Sequence, residues 1–488
     1  MDNQPLILAI GVDFARVEVG LVHTSGAGVA HCEIAPLKPV AGPGRQVYLE
    51  PAEIWGTVVQ AVRATLDRKP REARRVAGVS LIGRSPSATF VSKNGALAPF
   101  VMPDDSRAQE FRRAAQLPWT GIYRTVGLTE ARCEIPFALK AVSTSAPATV
   151  LMPKDFVRWN LTGEFATDAL DAQRAFLWDL AARRWSDEMC GAFGVDARRL
   201  PPVLPAAAVA GKVTRAAAEA TGLKAGLPVA CGMGDWGEYL GSGVFAVGDA
   251  FEHIGTTGAF YGVTSARPAA SSGLEVRPHL EDGRFLVGRE KLAGGACLEW
   301  FLKKTYLSSA GEIDWKDVDE DLEAIAAMGR PENALFFPNL AGGDEQISDA
   351  AFMNLHIEDD LTSLLQAVIE GMFFTLKSVA EEVKRLPWTP SAVFTTGQVG
   401  FKHAPRRVRA NIYGLAVHGG RTPGANAISA ALVGAVAAGV FSCVDDARSA
   451  MLDVDGGALP DERARSLYEA HFVQWLGTRG FLGPRTSP

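Results

Sequence analysis

The sequence predicts an α/β protein built from more than one domain. Short β-rich runs alternate with segments whose apolar residues recur at helical spacing, and this alternation is typical of α/β architectures. The chain has 488 residues, which exceeds the size of one ordinary hydrophobic core and indicates two or three domains. Apolar residues make up 47% of the chain and charged residues 21%, so we expect a well-packed globular protein.

The first third of the chain carries the clearest strand signals. Residues 6–14 (LILAIGVDF) and 17–25 (VEVGLVHTS) are predicted to pair as a hairpin. Residues 53–66 have the apolar spacing of a helix. Residues 74–83 and 87–99 return to strand character, the second of them with a turn at Asn94-Gly95, so a strand–helix–strand order follows the hairpin.

The second half repeats this pattern. Residues 361–383 place apolar side chains at helical spacing throughout and predict a long amphipathic helix. Residues 391–400 (SAVFTTGQVG) read as a buried strand that ends in a glycine turn, and 426–439 read as a helix of small residues. Since both halves contain strands that end in glycine turns, we expect two related lobes.

Composition and charge exclude several classes of protein. The net charge of −6 argues against nucleic-acid binding, which needs a basic face, and no polybasic segment suits a membrane surface. The six cysteines form no Cys-x-x-Cys pair, so we expect buried, reduced thiols and no zinc site. The N-terminus reads as a first strand, and the longest apolar run, 427–441, is shorter than the roughly 20 residues of a membrane span. A cytoplasmic protein is expected.

An aspartate in a glycine-rich turn is the sharpest chemical signal. The apolar run 227–232 (LPVACG) leads into Gly234-Asp235-Trp236-Gly237, so a strand delivers the Asp235 carboxylate into a turn that ligands can approach closely. Catalysis is one interpretation of Asp235. The alternative is that Asp235 caps a helix that begins at Trp236.

A second glycine turn follows about twenty residues later. Gly255-Thr256-Thr257-Gly258 offers backbone N–H groups and two hydroxyl groups to a phosphate, although a plain β-turn explains a lone match of this length equally well. The order of the parts favours the chemical interpretation. An aspartate-bearing hairpin at Asp13, the Asp235 turn, this turn and a late strand with a glycine turn together suggest a two-lobed phosphotransferase.

The chain resembles the FGGY family of carbohydrate kinases, which includes xylulose, gluconate and glycerol kinases. The most specific stretch is 151–172 (LMPKDFVRWNLTGEFATDALDA), which is similar to the family's Pro-Lys-Asp-Tyr, Leu-Thr-Gly and Thr-Asp segment. The Asp105-x-Arg107 pair, Gly234-Asp235 and Gly255-Thr256-Thr257 follow in the family's order. The resemblance is collinear and covers nearly the whole chain.

The resemblance implies two ribonuclease-H-like lobes of the actin and hexokinase type around a cleft. Residues 1–246 would form the N-terminal lobe, which binds the sugar and carries the catalytic aspartate, and 247–488 the C-terminal, nucleotide-binding lobe. The implied function is ATP-dependent phosphorylation of a hydroxyl group of a small sugar, ketose, aldonate or polyol, with ATP and Mg²⁺ as cofactors. A homodimer is expected from the habit of the family, and no nucleic-acid or membrane partner is expected.

The resemblance also assigns roles to individual residues. Asp235 would be the general base, for which an ordinary aspartate pKa of about 3.9 would suffice because deprotonation is late in a loose transition state. Asp13 would hold Mg²⁺ through water. The nucleotide and its phosphates would contact Asp13, Arg16, Gly255, Thr256, Thr257, Gly294, Gly295, Gly397, Gln398 and Asn411. The sugar would contact Arg84, Ser85, Asp105, Arg107 and Trp236. Asp105 and Arg107 could instead pair with each other at a helix entrance, and Trp236 could be core packing.

The chain departs from the family pattern mainly on the nucleotide side. Ala15-Arg16 replaces Gly-Thr in the first hairpin, Gln398-Val399 stands in the adenosine turn, and Asn411 and Asn426 replace acids, while Pro103 and Gly343-Asp344 replace Trp and Glu-Arg. Arg16 could bind phosphate directly, since guanidinium matches phosphate oxygens, or point into solvent. Two functions therefore stay open: a working kinase with altered contacts, and a catalytically weakened relative that binds a sugar as a sensor or partner subunit.

Overall fold

Two compact units make up the chain. The computed structural model describes residues 4–25, 29–84, 87–102, 105–129, 135–142, 144–255, 257–268, 273–291, 294–308, 311–340, 350–396, 403–419, 425–454 and 456–480. The first unit comprises Met1–Gly243, Glu275–Asp282 and Arg421–Asp453, and the second comprises Val244–Leu274, Gly283–Gly420 and Val454–Pro488. Each unit is thus assembled from segments that are distant in sequence.

Strands and helices alternate along the described residues, as the sequence predicts for an α/β protein. The strands are β1 (Leu6–Val12), β2 (Arg16–His23), β3 (Val29–Pro36), β4 (Val40–Gly42), β5 (Gln46–Leu49), β6 (Val76–Gly83), β7 (Thr89–Ser92), β8 (Gly95–Ala96), β9 (Phe100–Val101), β10 (Thr149–Leu151), β11 (Trp178–Asp179), β12 (Arg184–Trp185), β13 (Val209–Lys212), β14 (Pro228–Ala230), β15 (Met233–Gly234), β16 (Asp249–Ile254), β17 (Gly258–Thr264), β18 (Glu275–Pro278), β19 (Phe285–Lys291), β20 (Leu335–Phe337), β21 (Ala351–Met353), β22 (Ala392–Thr396) and β23 (Val417–Gly419). The helices are α1 (Pro51–Arg68), α2 (Pro70–Ala73), α3 (Ser106–Ala114), α4 (Trp119–Val126), α5 (Ile135–Ala141), α6 (Pro153–Thr162), α7 (Ala169–Arg174), α8 (Asp187–Phe193), α9 (Arg215–Thr221), α10 (Tyr239–Ser242), α11 (Gly295–Thr305), α12 (Trp315–Met328), α13 (Leu361–Val383), α14 (His403–Tyr413), α15 (Ala425–Ala437), α16 (Val444–Met451) and α17 (Glu462–Arg479).

A twisted mixed sheet forms the core of the first unit. Its strands lie in the order β13-β14-β6-β1-β2-β3, and β15 pairs with β6 beyond the end of β14. The predicted hairpin is confirmed: β1 and β2 pair antiparallel from Leu6↔His23 to Val12↔Val17. Strands β6, β14 and β15 run parallel to β1 on its other side, so their carboxyl ends meet at one edge of the sheet.

Helices cover both faces of this sheet because successive strand residues point to opposite faces. Leu8 and Ile10 of β1 share a buried cluster with Ile54 and Val58 of α1. Helix α15 packs on the other face so closely that a Cβ at Gly434 would lie 2.7 Å from side-chain atoms of Ile7 and Ser80. The small-residue helix predicted at 426–439 is therefore present as α15, and its small residues let its backbone approach β1 and β6.

The second unit repeats the same pairing pattern. Strands β19, β17, β16, β22 and β23 lie side by side in that order; the β16–β17 and β17–β19 pairs are antiparallel, and the β16–β22 and β22–β23 pairs are parallel. The order β3-β2-β1-β6-β14 in the first unit has the same directions. The prediction of an α/β protein with two related, ribonuclease-H-like lobes is confirmed.

Helix α13 is the one helix of the described residues that is long and apolar enough to cross a membrane. It has 23 residues, and its most apolar 18-residue window has a mean hydropathy of 1.2, but 83% of that window is buried inside the protein. Both Phe373 and Leu376 are at most 1% exposed. We therefore interpret α13 as a core helix, in the place where the sequence predicts a long helix.

The cysteine prediction holds only in part. Cys190, Cys231 and Cys297 are buried free thiols, as expected. Cys443 is exposed, contrary to the expectation; it is the N-cap of α16 at the surface, where its Sγ atom accepts a hydrogen bond from the backbone N–H of Asp446.

Candidate active site

Three parallel strands of the first unit end side by side and deliver three charged residues. Val12 of β1 pairs with Gly83 of β6, and Gly83 pairs with Gly234 of β15. The next residues along these strands are Asp13, Arg84 and Asp235, which we call the strand-end cluster. Ligands in open α/β sheets bind beyond the carboxyl ends of parallel strands, so this cluster stands where the fold favours a site.

Asp13 is held in a tight turn and keeps part of its carboxylate in solvent. The backbone N–H of Asp13 donates to the carbonyl of Arg16 at 2.9 Å, and its Oδ1 atom accepts from the N–H of Phe14 at 2.6 Å. Its side chain is 34% exposed, and Oδ1 lies 3.7 Å from Nη1 of Arg84. Arg16 is half-buried, and no carboxylate among the described residues pairs with its guanidinium.

Asp235 is half-buried at the start of a short 3-10 helix, Asp235–Glu238. Gly234 is the N-cap of that helix and Asp235 is its first residue; the Asp235 Oδ1 atom accepts a hydrogen bond from the Trp236 N–H at 3.0 Å, so a role at the helix start stays an alternative to catalysis. Burial raises the pKa of Asp235 to about 6, against the opposing effect of Arg84. The sequence gives no sign of this shift, and an ordinary aspartate pKa was expected; burial makes Asp235 a stronger base than an ordinary aspartate.

Glycines are required where the Asp235 turn passes its neighbours. Gly232 has φ +76°, and a Cβ there would lie 2.4 Å from the carbonyl oxygen of Leu81. A Cβ at Gly234 would lie 2.8 Å from Oδ1 of Asp171. The glycines therefore allow the Leu81 backbone and the Asp171 side chain to pack closely against the turn that carries the candidate base.

A buried ion cluster lies under this edge of the sheet. Lys154 Nζ lies 2.6 Å from Asp155, 3.0 Å from Asp168 and 3.1 Å from Asp171, and all four side chains are at most 3% exposed. Arg158 Nη1 donates to Asp155 Oδ1 at 2.8 Å. We call these five residues the lysine cluster. They come from α6, α7 and the residue before α7, which is the stretch that carries the family resemblance.

The lysine cluster contacts both strand ends that lead into Arg84 and Asp235. A Cβ at Gly83 would lie 2.4 Å from Cβ of Lys154, and Asp168 Oδ1 accepts from the N–H of Gly234 at 3.2 Å. Burial alone would lower the pKa of Lys154, but the three carboxylates outweigh burial and raise it well above its usual value. Lys154 thus stays charged beneath the site.

Trp236 has a neighbour that sequence reasoning missed. The Arg277 guanidinium carbon lies 4.0 Å from the centroid of the Trp236 ring, and Arg277 donates to Glu275 Oε2 at 2.7 Å. Arg277 and Glu275 are each 2% exposed. Both lie on β18, about forty residues along the chain from Trp236, and no local pattern in the sequence signals this contact. One face of the Trp236 ring is thus covered by a cation.

Asp105 and Arg107 pair with each other, as one of the two interpretations of the sequence had it. Asp105 is the N-cap of α3 and is fully buried; it accepts four hydrogen bonds, from the Val47 N–H and from the backbone and guanidinium of Arg107. Burial would raise the pKa of Asp105, but the bonds from Arg107 and Val47 outweigh it and lower that pKa. This arrangement supports the entrance of α3, and direct sugar contact stays a prediction.

Two glycine segments of the second unit form one backbone cradle. The N–H of Gly295 donates to the carbonyl of Gly255 at 2.7 Å, and a Cβ at Gly294 would lie 2.1 Å from the carbonyl carbon of Thr257. Gly294 and Gly295 stand at the N-terminus of α11, whose positive dipole end favours an anion. The Thr257 hydroxyl donates to Glu290 Oε1 at 2.5 Å and so faces a carboxylate.

Asn411 has a structural contact, and other predicted residues are not described. Asn411 is 7% exposed, and its Oδ1 atom accepts from the N–H of Asp461, the N-cap of α17. Ser85, Thr256, Gly397 and Gln398 lie outside the described residues, as do the family departures at Pro103, Gly343, Asp344 and Val399. Their roles stay predictions.

A preformed metal cage is not found. Within the described ranges, no group of three or more His, Cys, Asp or Glu side chains could hold a metal ion. Mg²⁺ that binds phosphates takes one or two carboxylates and fills its other positions with water and phosphate oxygens, so a single partly exposed carboxylate such as that of Asp13 is compatible with it.

Both halves of the chain match one family. The N-terminal domain of the FGGY family of carbohydrate kinases matches residues 27–238, and its C-terminal domain matches residues 253–438. This chain belongs to the FGGY family of carbohydrate kinases. The predicted resemblance and the prediction of a phosphotransferase that acts on an alcohol group are thereby confirmed, and ATP is the phosphate donor of this family.

Kinases of other organisms match most of the chain. The chain is 23% identical to L-xylulose/3-keto-L-gulonate kinase of Escherichia coli over 94% of its length and 93% of that protein. It is 27% identical to a xylulose kinase of Klebsiella pneumoniae over 70% of its length and 72% of that protein. Gluconate kinase from Lactobacillus acidophilus has the same fold, with a TM-score of 0.83, 18% identity and 98% coverage of both chains.

Proposed function

We propose that this FGGY kinase transfers the γ-phosphoryl group of ATP to a hydroxyl group of a small sugar, aldonate or polyol, with Asp235 as the general base. The observation that supports this role is the register of three strand ends, which places the half-buried Asp235 beside Arg84 and Asp13 at the carboxyl edge of the sheet. Family membership supports the phosphoryl transfer itself.

The proposed step is a direct in-line transfer. The acceptor hydroxyl donates a hydrogen bond to the Asp235 carboxylate, and its oxygen attacks the γ-phosphorus of ATP. The new O–P bond forms as the bond to the β,γ-bridging oxygen breaks, the electron pair of that bond leaves with ADP, and the hydroxyl proton goes to Asp235. Since the transition state is loose, orienting the hydroxyl is most of the work of the base.

The triphosphate is proposed to bind on the backbone cradle of Gly255, Thr257, Gly294 and Gly295. The positive dipole end at the N-terminus of α11 suits phosphate oxygens, and the glycines leave room for a close approach. Asp13 is proposed to hold Mg²⁺ through water, with a partly exposed carboxylate that suits a hard cation. When bound, Mg²⁺ supplies charge neutralisation of the phosphates. Mg²⁺ use, a homodimer and a cytoplasmic location stay predictions.

An acceptor panel tests the proposal against its alternative. The protein is incubated with MgATP and pentuloses, hexuloses, aldonates and polyols, and ADP release is followed. A working kinase is expected to release ADP only when one class of acceptor is present. Thermal stabilisation by an acceptor without any ADP release would instead support the sugar-binding sensor, and no response to any acceptor or to MgATP would contradict both.

The pH dependence of the reaction tests the role of Asp235. Since burial raises the pKa of Asp235 to about 6 and only its carboxylate form accepts a proton, kcat/KM should fall as the pH drops below about 6. The measurement is kcat/KM for the acceptor at saturating MgATP, between about pH 5 and about pH 8.5. Circular dichroism at each pH is the control for folding. A kcat/KM that stays flat down to about pH 5, as an ordinary aspartate pKa of about 4 would give, would contradict the proposed environment.

A further inference from the structure

Arg84 stands on the central strand of the three that end together. Gly83, which precedes it, pairs with Val12 on one side and with Gly234 on the other. The Arg84 N–H donates to the carbonyl of Val12 at 2.8 Å, which holds its backbone at the level of Asp13. Arg84 therefore lies between Asp13 and Asp235 in the order of the three strands.

The Arg84 guanidinium remains open to a ligand. Its side chain is 57% exposed, and its 3.7 Å distance to Asp13 is too long for a hydrogen bond. Among the residues that the structure describes, no side chain or carbonyl accepts a hydrogen bond from this guanidinium. The other two arginines whose charges act on Asp235, Arg174 and Arg277, are only 7% and 2% exposed. Arg84 alone of the three presents its donors to solvent.

We propose that Arg84 is a catalytic residue that binds the oxygens of the phosphoryl group during its transfer. This inference rests on the proposed function and adds to it. In that reaction the γ-phosphorus passes from ADP to an acceptor oxygen that Asp235 holds, while Asp13 faces the phosphate side. The strand between Asp235 and Asp13 is the one that carries Arg84, so its guanidinium lies beside Asp13, and its charge acts on Asp235.

Charge supplies the physical reason for a cation at this position. Asp13 and Asp235 would both repel the oxygens of a triphosphate, and Arg84 offsets that repulsion. A planar guanidinium matches two phosphoryl oxygens with two parallel N–H donors. A preorganised cation of this kind is most valuable where negative charge gathers in the transition state. An acceptor carboxylate is the other oxyanion that this chemistry would bind, and the experiment separates the two.

The experiment compares wild type, Arg84→Gln and Arg84→Lys with a neutral polyol and an aldonate as acceptors. Arg84→Gln is expected to lower kcat by roughly 10²- to 10³-fold with whichever acceptor class the wild type uses, with KM for the acceptor within about threefold. Arg84→Lys should recover part of the rate, because lysine keeps the positive charge but lacks the two parallel N–H donors of the guanidinium. Arg198→Gln is the matched control, since Arg198 is 90% exposed on the surface of the same unit.

Two further readouts separate catalysis from a structural effect. By calorimetry, Arg84→Gln should weaken binding of MgADP with aluminium fluoride, which imitates the moving phosphoryl group, at least about tenfold more than binding of MgADP alone. Loss of the Arg84 charge should also move the acidic limb of kcat/KM to higher pH. Glu238, Arg174 and Arg277, which also act on Asp235, are unchanged in the variant.

Each outcome decides the inference. Wild-type activity combined with less than about a threefold loss of kcat in Arg84→Gln overturns the inference and leaves the proposed function intact. A change confined to KM for the acceptor, whether polyol or aldonate, overturns it as well, because Arg84 would then bind the acceptor, as the family resemblance implies, and not the phosphoryl group. Absence of acceptor-dependent ADP release in wild type overturns the proposed function, and this inference with it.

Discussion

Asp235→Asn is expected to lower kcat by roughly 10²- to 10⁴-fold, the range typical of a lost general base. Asparagine has nearly the same shape and still accepts a hydrogen bond, but it cannot take the proton of the attacking hydroxyl. Asp235 accepts a hydrogen bond from the N–H of Trp236 at 3.0 Å, which the amide oxygen can also accept, so the fold should be kept. The measurement is steady-state ADP release with the acceptor identified by the panel.

Binding and a surface variant control this experiment. Affinity for MgADP should be unchanged in Asp235→Asn, because that carboxylate is proposed to act on the acceptor hydroxyl. Asp445→Asn is the matched control, since Asp445 is 55% exposed in the first turn of α16. A kcat within about tenfold of wild type in Asp235→Asn would contradict the role of general base.

Lys154→Met is expected to destabilise the first unit by about 3–5 kcal/mol, the usual result of removing one partner from a buried ion pair. Methionine fills a similar volume but leaves Asp155, Asp168 and Asp171 without their shared cation in a buried site. Burial and the neighbouring carboxylates already raise the pKa of Asp171 well above its usual value despite Lys154, which is the physical reason to expect a cost when the lysine is removed. Urea unfolding followed by circular dichroism measures the loss.

An exposed lysine serves as the control for Lys154→Met. Lys93 is exposed in the turn between β7 and β8, and Lys93→Met should change stability by less than about 0.5 kcal/mol. Because the chain forms two units, the early and late unfolding transitions are fitted separately. A loss below about 1 kcal/mol in Lys154→Met would show that the lysine cluster does not hold this edge of the sheet together.

Local patterns in the sequence were sufficient for much of the fold and for one residue of the site. The alternation of β1 and β2, the helical spacing of α13 and the small residues of α15 each depend on neighbours in sequence, and each is found where it was predicted. Asp235 could also be identified from the sequence, because a strand followed by a glycine-flanked aspartate is a local signal. The ordered set of such signals identified the family before any coordinate was known.

The surroundings of the site residues could not be predicted from local sequence patterns. The raised pKa of Asp235 comes from burial and from charges on other strands, so no local pattern carries it. Whether Asp105 binds sugar or Arg107, and whether the Thr257 hydroxyl faces phosphate or Glu290, depends on which side chain lies within about 3 Å, and sequence spacing does not decide that.

The sequence by itself determined an α/β protein with an aspartate in a glycine turn, because hydrophobic periodicity and glycine turns are properties of consecutive residues. The resemblance of its ordered motifs to the FGGY family added the two-lobed carbohydrate kinase. Only the tertiary structure decided that Arg84 stands between Asp13 and Asp235, that β18 brings Arg277 onto Trp236, and that Lys154 supports the strand ends from below. The physical reason is that strand register and side-chain burial join residues tens to hundreds of positions apart, and each charge takes its chemistry from those distant neighbours.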